Sequence, residues 1–448
     1  MSSGSGFGFG QGDGGDEPFD PSSFDLSKLD MNQLGEALQQ FGAMLSSSGG
    51  GDDGPVSWET AERVAREALA AAGDPAPDAG DRARIADAVR LAEHWLDEHT
   101  AFPAIATEPE AWSRSEWLVA TLPVWKRIIE PVAASVSSAM GTILPTDSPE
   151  LPDGIPPELA SMMGPLLGMA KRMGSMMFGM QVGQGLATLA TEVLGAGDVG
   201  VPLVDDGPHA NRAALLPLNV EAFGEGLGVP DDDVRLYLAL REAAQQRLFA
   251  GVPWLRARLI GAVEEYARGV HVDQSLIEEA MRDVDPNNPE ALQEVLSSGV
   301  FEPTTTPEQQ AALARLEILL ALVEGWVDAV VAAAAAPRMP SADALRETVR
   351  RRRAIGGPAE KTFATLVGLE MRPRRLREAA TLWEMAGSEL GPDERDALWE
   401  HPDLLPTSDD LEHPAAFLSR STVLDLGTIE AELGEDLDGD GTVGPVQS

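Results

Sequence analysis

The chain has 448 residues, enough for two or three compact units at roughly 100–200 residues per domain. It contains no cysteine, which excludes a disulfide scaffold, thiolate zinc sites, iron–sulfur clusters and a cysteine nucleophile. A formal net charge of −40 repels phosphate backbones and anionic lipid, so neither nucleic acid nor a membrane surface is an expected partner.

Met1 to Pro55 is mostly Gly, Ser and Asp and cannot bury enough apolar surface to fold, so residues 1–55 are expected to be disordered. One island, Met31 to Leu45, carries Leu34, Leu38, Phe41 and Leu45 at helical spacing and reads as a fraying helix. The N-terminus lacks a basic segment followed by an apolar run, and with the missing cysteines this gives the cytoplasm as the expected location. Lys28, Lys126, Lys171 and Lys361 are the only lysines among 33 basic residues, a bias that suits a GC-rich bacterial genome.

From Ser57 the pattern turns helical. Ser57 is placed to cap a helix with Trp58, Ala61, Val64, Ala65, Ala68 and Leu69 on its apolar face. Asp78 is placed to cap the next, with Ile85, Val89, Ala92 and Leu96 aligned. These form an N-terminal helical region, residues 56–145, followed by a larger domain, residues 146–425. Thr146 to Glu158 is proline-rich and reads as a linker or rigid loop. The run Met173 to Thr191 is uncharged but diluted by glycine and glutamine, which predicts a buried core helix rather than a membrane span, with its methionines as core filler. Gly179 and Gly183, four apart, allow another helix to approach closely. Between Pro202 and Val229 the turn signals predict a few strands or irregular loops. Helical periodicity then returns over Asp231–Phe249, Trp254–Val270, Pro307–Val331 and Pro373–Ala386. Thr306, Pro307 and Gln309 form a capping-box pattern. The expected fold class is mainly α.

The tail, residues 426–448, is acidic and glycine-rich. Asp436, Asp438 and Asp440 with Gly441 match the start of a calcium-binding loop, but Gln447 stands where a bidentate Glu is needed. A solvated acidic tail without calcium is the expectation. Among the six histidines none lie four apart, and no phosphate-binding loop, dinucleotide fingerprint or nucleophile elbow is present. The basic clusters Arg350–Arg353 and Arg372–Arg377 are expected to pair with the chain's own carboxylates.

One segment adds chemistry. Val234 to Phe249, VRLYLALREAAQQRLF, resembles the metal-site helix of the zincin-like metallopeptidase family common in actinobacteria. LLPLNVEAFGEGLGVP, LVEGWVDAVV around Glu324, GGPAEKTFATLVGLEMRPRRLREAATLW and RDALWEHPDLLPT extend the resemblance over roughly Ser57 to Arg420. It implies a zinc-dependent peptide hydrolase: two His of an H-E-x-x-H helix and a Glu from a later helix hold zinc, and the motif Glu activates the bound water. On this chain Glu242 takes the general-base position and Glu324 the third-ligand position, while the two His positions are Arg241 and Gln245. Arginine cannot shed its proton, and a neutral amide is a poor zinc ligand. The expectation is therefore a zincin-like protein without bound zinc, serving as a scaffold for a peptide or protein ligand, with Arg241 either paired bidentately to Glu324 or standing as an ordinary surface arginine on an amphipathic helix. The alternative is an active zinc hydrolase using Glu242, Glu324 and a recruited His209 or His271.

Overall fold

The computed structural model describes residues 54–143, 157–204, 211–269, 306–355, 358–367 and 375–420. All belong to one compact unit, Asp53–Ser448; the other unit, Met1–Asp52, carries the Leu34–Leu45 island and lies outside the described residues. So do Thr146–Pro156 of the proline-rich stretch and the acidic tail.

The fold is mainly α. In chain order come α1 (Trp58–Ala72), α2 (Ala79–Leu96), β1 (Glu110–Ala111), α3 (Arg114–Ile143), α4 (Pro157–Ala190), β2 (Ala214–Leu215), α5 (Pro217–Gly224), α6 (Asp231–Gly251) and α7 (Pro253–Arg268). After them come α8 (Pro307–Ala335), α9 (Ala342–Ala354), α10 (Pro358–Val367), α11 (Leu376–Glu389), α12 (Pro392–Ala397) and α13 (Ser408–Glu412). The caps legible in the sequence form as written. Ser57 Oγ accepts from the Thr60 N–H, and Asp78 with Asp81 and Thr306 with Gln309 close reciprocal capping boxes.

α1 packs on α4, α2 on α6, and α8 on α6, α7 and α11. The α1–α4 contact is set by glycine: a Cβ at Gly179 would meet the Ser57 carbonyl oxygen, and one at Gly183 the Ala61 carbonyl oxygen. That orientation corrects the expected role of the methionine-rich run. α4 buries Val182, Leu186, Leu189 and Ala190, while Met173, Met176, Met177 and Met180 face outward, Met177 being 64% exposed. The glycines select the face that approaches α1, and the methionines stay exposed outside that contact. Instead, α8 is the one described helix long and apolar enough to cross a bilayer, and 83% of its apolar window is buried inside the protein.

The region expected to hold strands or loops holds little strand and one helix. β1 and β2 pair in parallel, Glu110 with Ala214 and Ala111 with Leu215, and Gly195 adds an antiparallel bridge to Leu215. α5 follows at once, opened by Pro217 at its first turn, a start signal inside a stretch otherwise dominated by turn residues.

Candidate functional site: buried carboxylates and arginines where two helices cross

Every residue of α6 from Tyr237 to Phe249 is buried, so its polar side chains must find partners inside the protein. Arg247 anchors the helix: its Nε donates to Glu93 Oε2 on α2 at 2.6 Å and its Nη2 to Asp97 Oδ1, just past the end of α2, at 2.8 Å. α8 is fixed from the other side, where Asp396 accepts from Trp326 Nε1 at 2.8 Å, Thr100 Oγ1 at 2.6 Å and the Ala101 N–H at 2.9 Å. These two anchors set the register in which α6 and α8 present their central residues.

Arg241 and Glu324 meet at that crossing. Arg241 Nη2 donates to Glu324 Oε2 at 2.7 Å, and both side chains are buried. The expected pair is real, but it is not bidentate from one guanidinium. The other carboxylate oxygen, Oε1, lies 3.0 Å from Arg353 Nη2, an ion contact without hydrogen-bond alignment. Glu324 therefore sits between two guanidiniums. Burial works against the charge on Arg241, but Glu324, then Tyr237 and Asp328, hold its pKa above the ordinary value.

Glu242 is treated differently. Its Oε2 accepts from the Gly197 N–H at 2.9 Å and its Oε1 from Gln246 Nε2 at 2.9 Å, with a further backbone hydrogen bond from Ala214. Burial pushes its carboxyl up to about 7, against the pull of those donors. The Gly195–Gly200 segment lies directly over the helix: a Cβ at Gly197 would stand 2.5 Å from Gln245 Oε1, and one at Gly195 would stand 2.7 Å from Glu242 Oε2. Gly200, at φ +84°, turns the chain beside Glu324. Gln245 Nε2 is buried with no hydrogen-bond partner among the described residues.

Two further residues, Asp198 and Asp328, were not singled out from the sequence. Asp198, at the centre of the glycine segment, accepts from Arg352 Nη1 at 2.8 Å and from the Leu194 N–H at 3.0 Å. Burial raises its pKa, but Arg352 and Arg353 outweigh this and hold it below the ordinary value. Asp328, one turn after Glu324, accepts from Arg346 Nε at 2.9 Å and Arg350 Nη2 at 2.6 Å. Burial again opposes its charge, and Arg346, then Arg241, hold it low. Arg350, Arg352 and Arg353 thus all pair with the chain's own carboxylates, as does Arg351 with Glu347. The signal available in the sequence was the four-arginine run itself, but its acceptors are too distant in the chain to read.

The remaining candidates fall elsewhere. His94 and His401 are exposed, and His209 and His271 lie outside the described residues, as do Asp436, Asp438 and Asp440.

A sequence-family profile described as zincin-like metallopeptidase matches residues 56–418. The chain belongs to this family. No curated protein is significantly similar to it. Among solved structures, a candidate hydrolase of novel fold from Chloroflexus aurantiacus is similar at 19% identity and a TM-score of 0.55, over 82% of this chain and 98% of that one. At that identity the likeness shows the fold alone.

Zinc in related zincin-like proteins needs imidazole or carboxylate donors with lone pairs free. Arg241, Gln245 and Glu324 offer a guanidinium, an amide and a carboxylate whose Oε2 already accepts from Arg241. Among the described residues no group of three or more His, Asp or Glu is placed to hold a metal. These three side chains by themselves do not make a zinc donor set.

Proposed function

We propose that this zincin-like protein has exchanged a dication for two guanidiniums and acts as a non-catalytic scaffold that binds a peptide or protein ligand. The observation that carries this reading is Glu324 held between Arg241, at 2.7 Å, and Arg353, at 3.0 Å, in a buried site. A carboxylate that lost its metal would be left uncompensated in a low-dielectric interior, at a cost of several kcal/mol. Arginine supplies the missing charge with a donor geometry matched to carboxylate. The seal over Glu242 by the Gly197 N–H supports the same reading, since that oxygen is already used as an acceptor. With no cysteine and a charge of −40, the scaffold is assigned to the cytoplasm, away from nucleic acid and membranes.

The competing reading, a hydrolase with Glu242 as general base, Glu324 as ligand and His209 or His271 recruited, draws on the Glu242 carboxyl at about 7, a range suited to proton transfer. Elemental analysis of untagged, chelator-free protein separates the two, combined with a casein hydrolysis assay on wild type and Glu242→Gln. The scaffold reading expects no stoichiometric zinc and no hydrolysis that the substitution removes. Stoichiometric zinc with hydrolysis lost in Glu242→Gln overturns it.

A further inference from the structure

α4 carries two apolar faces, and its own fold covers one of them. Val182, Leu186, Leu189 and Ala190 are buried, and Gly179 and Gly183 lie against α1. Met169, Met173, Met176, Met177 and Met180 are left uncovered, from 37% exposure at Met169 to 64% at Met177. The other exposed large apolar side chains among the described residues, Leu91, Val119, Ile355 and Leu404, fall in separate parts of the chain. Scattered exposed apolar residues are ordinary, whereas a row of them on one helix marks an interaction surface.

The spacing of the row indicates what covers it. Met169, Met173, Met176 and Met180 stand 4, 3 and 4 residues apart. In the sequence the same alternation begins at Leu159 and runs through Met162 and Leu166, so it holds for three heptads within α4. An apolar stripe kept at about 3.5 residues per turn over that length suits a second helix laid alongside, each side chain entering a gap in its partner. Methionine, unbranched and polarisable, adapts readily to such a contact.

Charge selects the second helix. Two copies of a chain of charge −40 repel each other over most of their surface. Between Glu158 and Glu192 there is no Asp or Glu, the longest such run in a chain that has 73 of them. Past its first turn, α4 therefore brings no carboxylate of its own to a contact between copies. A two-fold axis sets the stripe against itself, so that apolar positions meet apolar positions.

We infer that the exposed methionine stripe of α4 is a self-association surface, on which a second copy of this chain lays its own α4 to form a short two-stranded coiled coil. This surface is separate from the Glu242–Glu324 centre and does not depend on whether that centre holds a metal. One helix face is at the small end of specific interfaces, so the pairing is weak, with a Kd on the order of 10 µM. Apolar attraction works here against the repulsion of two acidic chains, so added salt screens the repulsion and tightens the dimer. A contact made by acid–base pairs would loosen instead.

Sedimentation equilibrium of the full chain from about 1 to about 200 µM, in low salt and in about 0.5 M NaCl, tests this. It is repeated on the paired variant Met173→Glu, Met176→Glu and on the milder pair Met173→Gln, Met176→Gln, with folding checked by circular dichroism. Lys171→Glu is the control: it adds negative charge to the same helix about 200° round from Met173. The expected result is a wild-type dimer that tightens several-fold with salt. The glutamate pair weakens it at least tenfold, the glutamine pair several-fold, and Lys171→Glu less than threefold. A wild type monomeric at the top concentration in both salts would overturn the inference. So would a dimer that both methionine pairs leave intact, one that Lys171→Glu weakens as much as the glutamate pair, or a monomer that instead sediments with phosphatidylserine vesicles.

Discussion

Glu242 on α6 and Glu324 on α8 are both buried carboxylates, and their surroundings treat them in opposite ways. Glu324 is bracketed by Arg241 and Arg353. Among the described residues no arginine pairs with Glu242; two backbone N–H groups and the Gln246 amide surround it, and its carboxyl rises to about 7. The fold thus meets one carboxylate with guanidiniums and the other with neutral N–H donors. Dipoles from N–H groups soften a buried charge but do not cancel it, whereas a guanidinium at 2.7 Å does so at the cost of its own desolvation.

The sharpest way to break this contrast is to remove the counter-charge. Arg241→Met leaves Glu324 with only the poorly aligned Arg353, and a loss of about 3–5 kcal/mol in unfolding free energy is expected. Adding Glu324→Met should recover most of it, because the double variant buries neither charge unpaired. Urea unfolding of the wild type, the two single variants and the double variant forms a cycle whose coupling term reads the pair directly. A coupling near zero would mean that Arg353 alone carries Glu324.

The other carboxylate makes a pH prediction. Glu242 holds its proton in the folded protein up to about 7, whereas an unfolded chain releases it near the ordinary 4.5. Its contribution is fully present below about 4.5 and is lost as the pH rises towards 7, by about 3 kcal/mol. Asp198 and Asp328, held low by arginine, act in the opposite sense and in a separate window, losing stability only as the pH falls below the ordinary 3.8. Unfolding measured from pH 5 to pH 8 should show the decline in the wild type and a flatter profile in Glu242→Gln. A Glu242→Gln variant that follows the wild-type slope would contradict the assignment.

How much of this was legible before the structure differs from part to part. Caps at Ser57, Asp78 and Thr306 are local, each written within four residues, and they form as read. The Arg241–Glu324 pair was reachable because the family resemblance aligned two distant helices, though not the single-hydrogen-bond geometry. The glycine segment over Glu242 was not legible, since a backbone N–H donor leaves no mark in a side-chain pattern. Nor was the outward turn of Met173, Met176 and Met177, because α4 is apolar on most of its circumference and Gly179 and Gly183 decide which face approaches α1. Arg353 was seen as basic but not as a partner of Glu324, some thirty residues away on another helix.

The smallest expected effect concerns the orphaned amide. Gln245 Nε2 contributes no hydrogen bond among the described residues, so Gln245→Leu should be neutral or stabilising by up to about 1 kcal/mol in thermal unfolding. A loss above about 2 kcal/mol would show that the amide has a partner the contacts of Gly197 do not reveal.

The measurement that bears most directly on the exchange of metal for guanidinium is a zinc titration against a chromophoric chelator, run on the wild type and on the Arg241→His, Gln245→His double variant. The account predicts that the wild type leaves the chelator's zinc in place, and that restoring both imidazoles beside Glu324 brings measurable competition for one equivalent. Wild-type protein that takes one equivalent of zinc, with affinity unchanged by the double substitution, would contradict it.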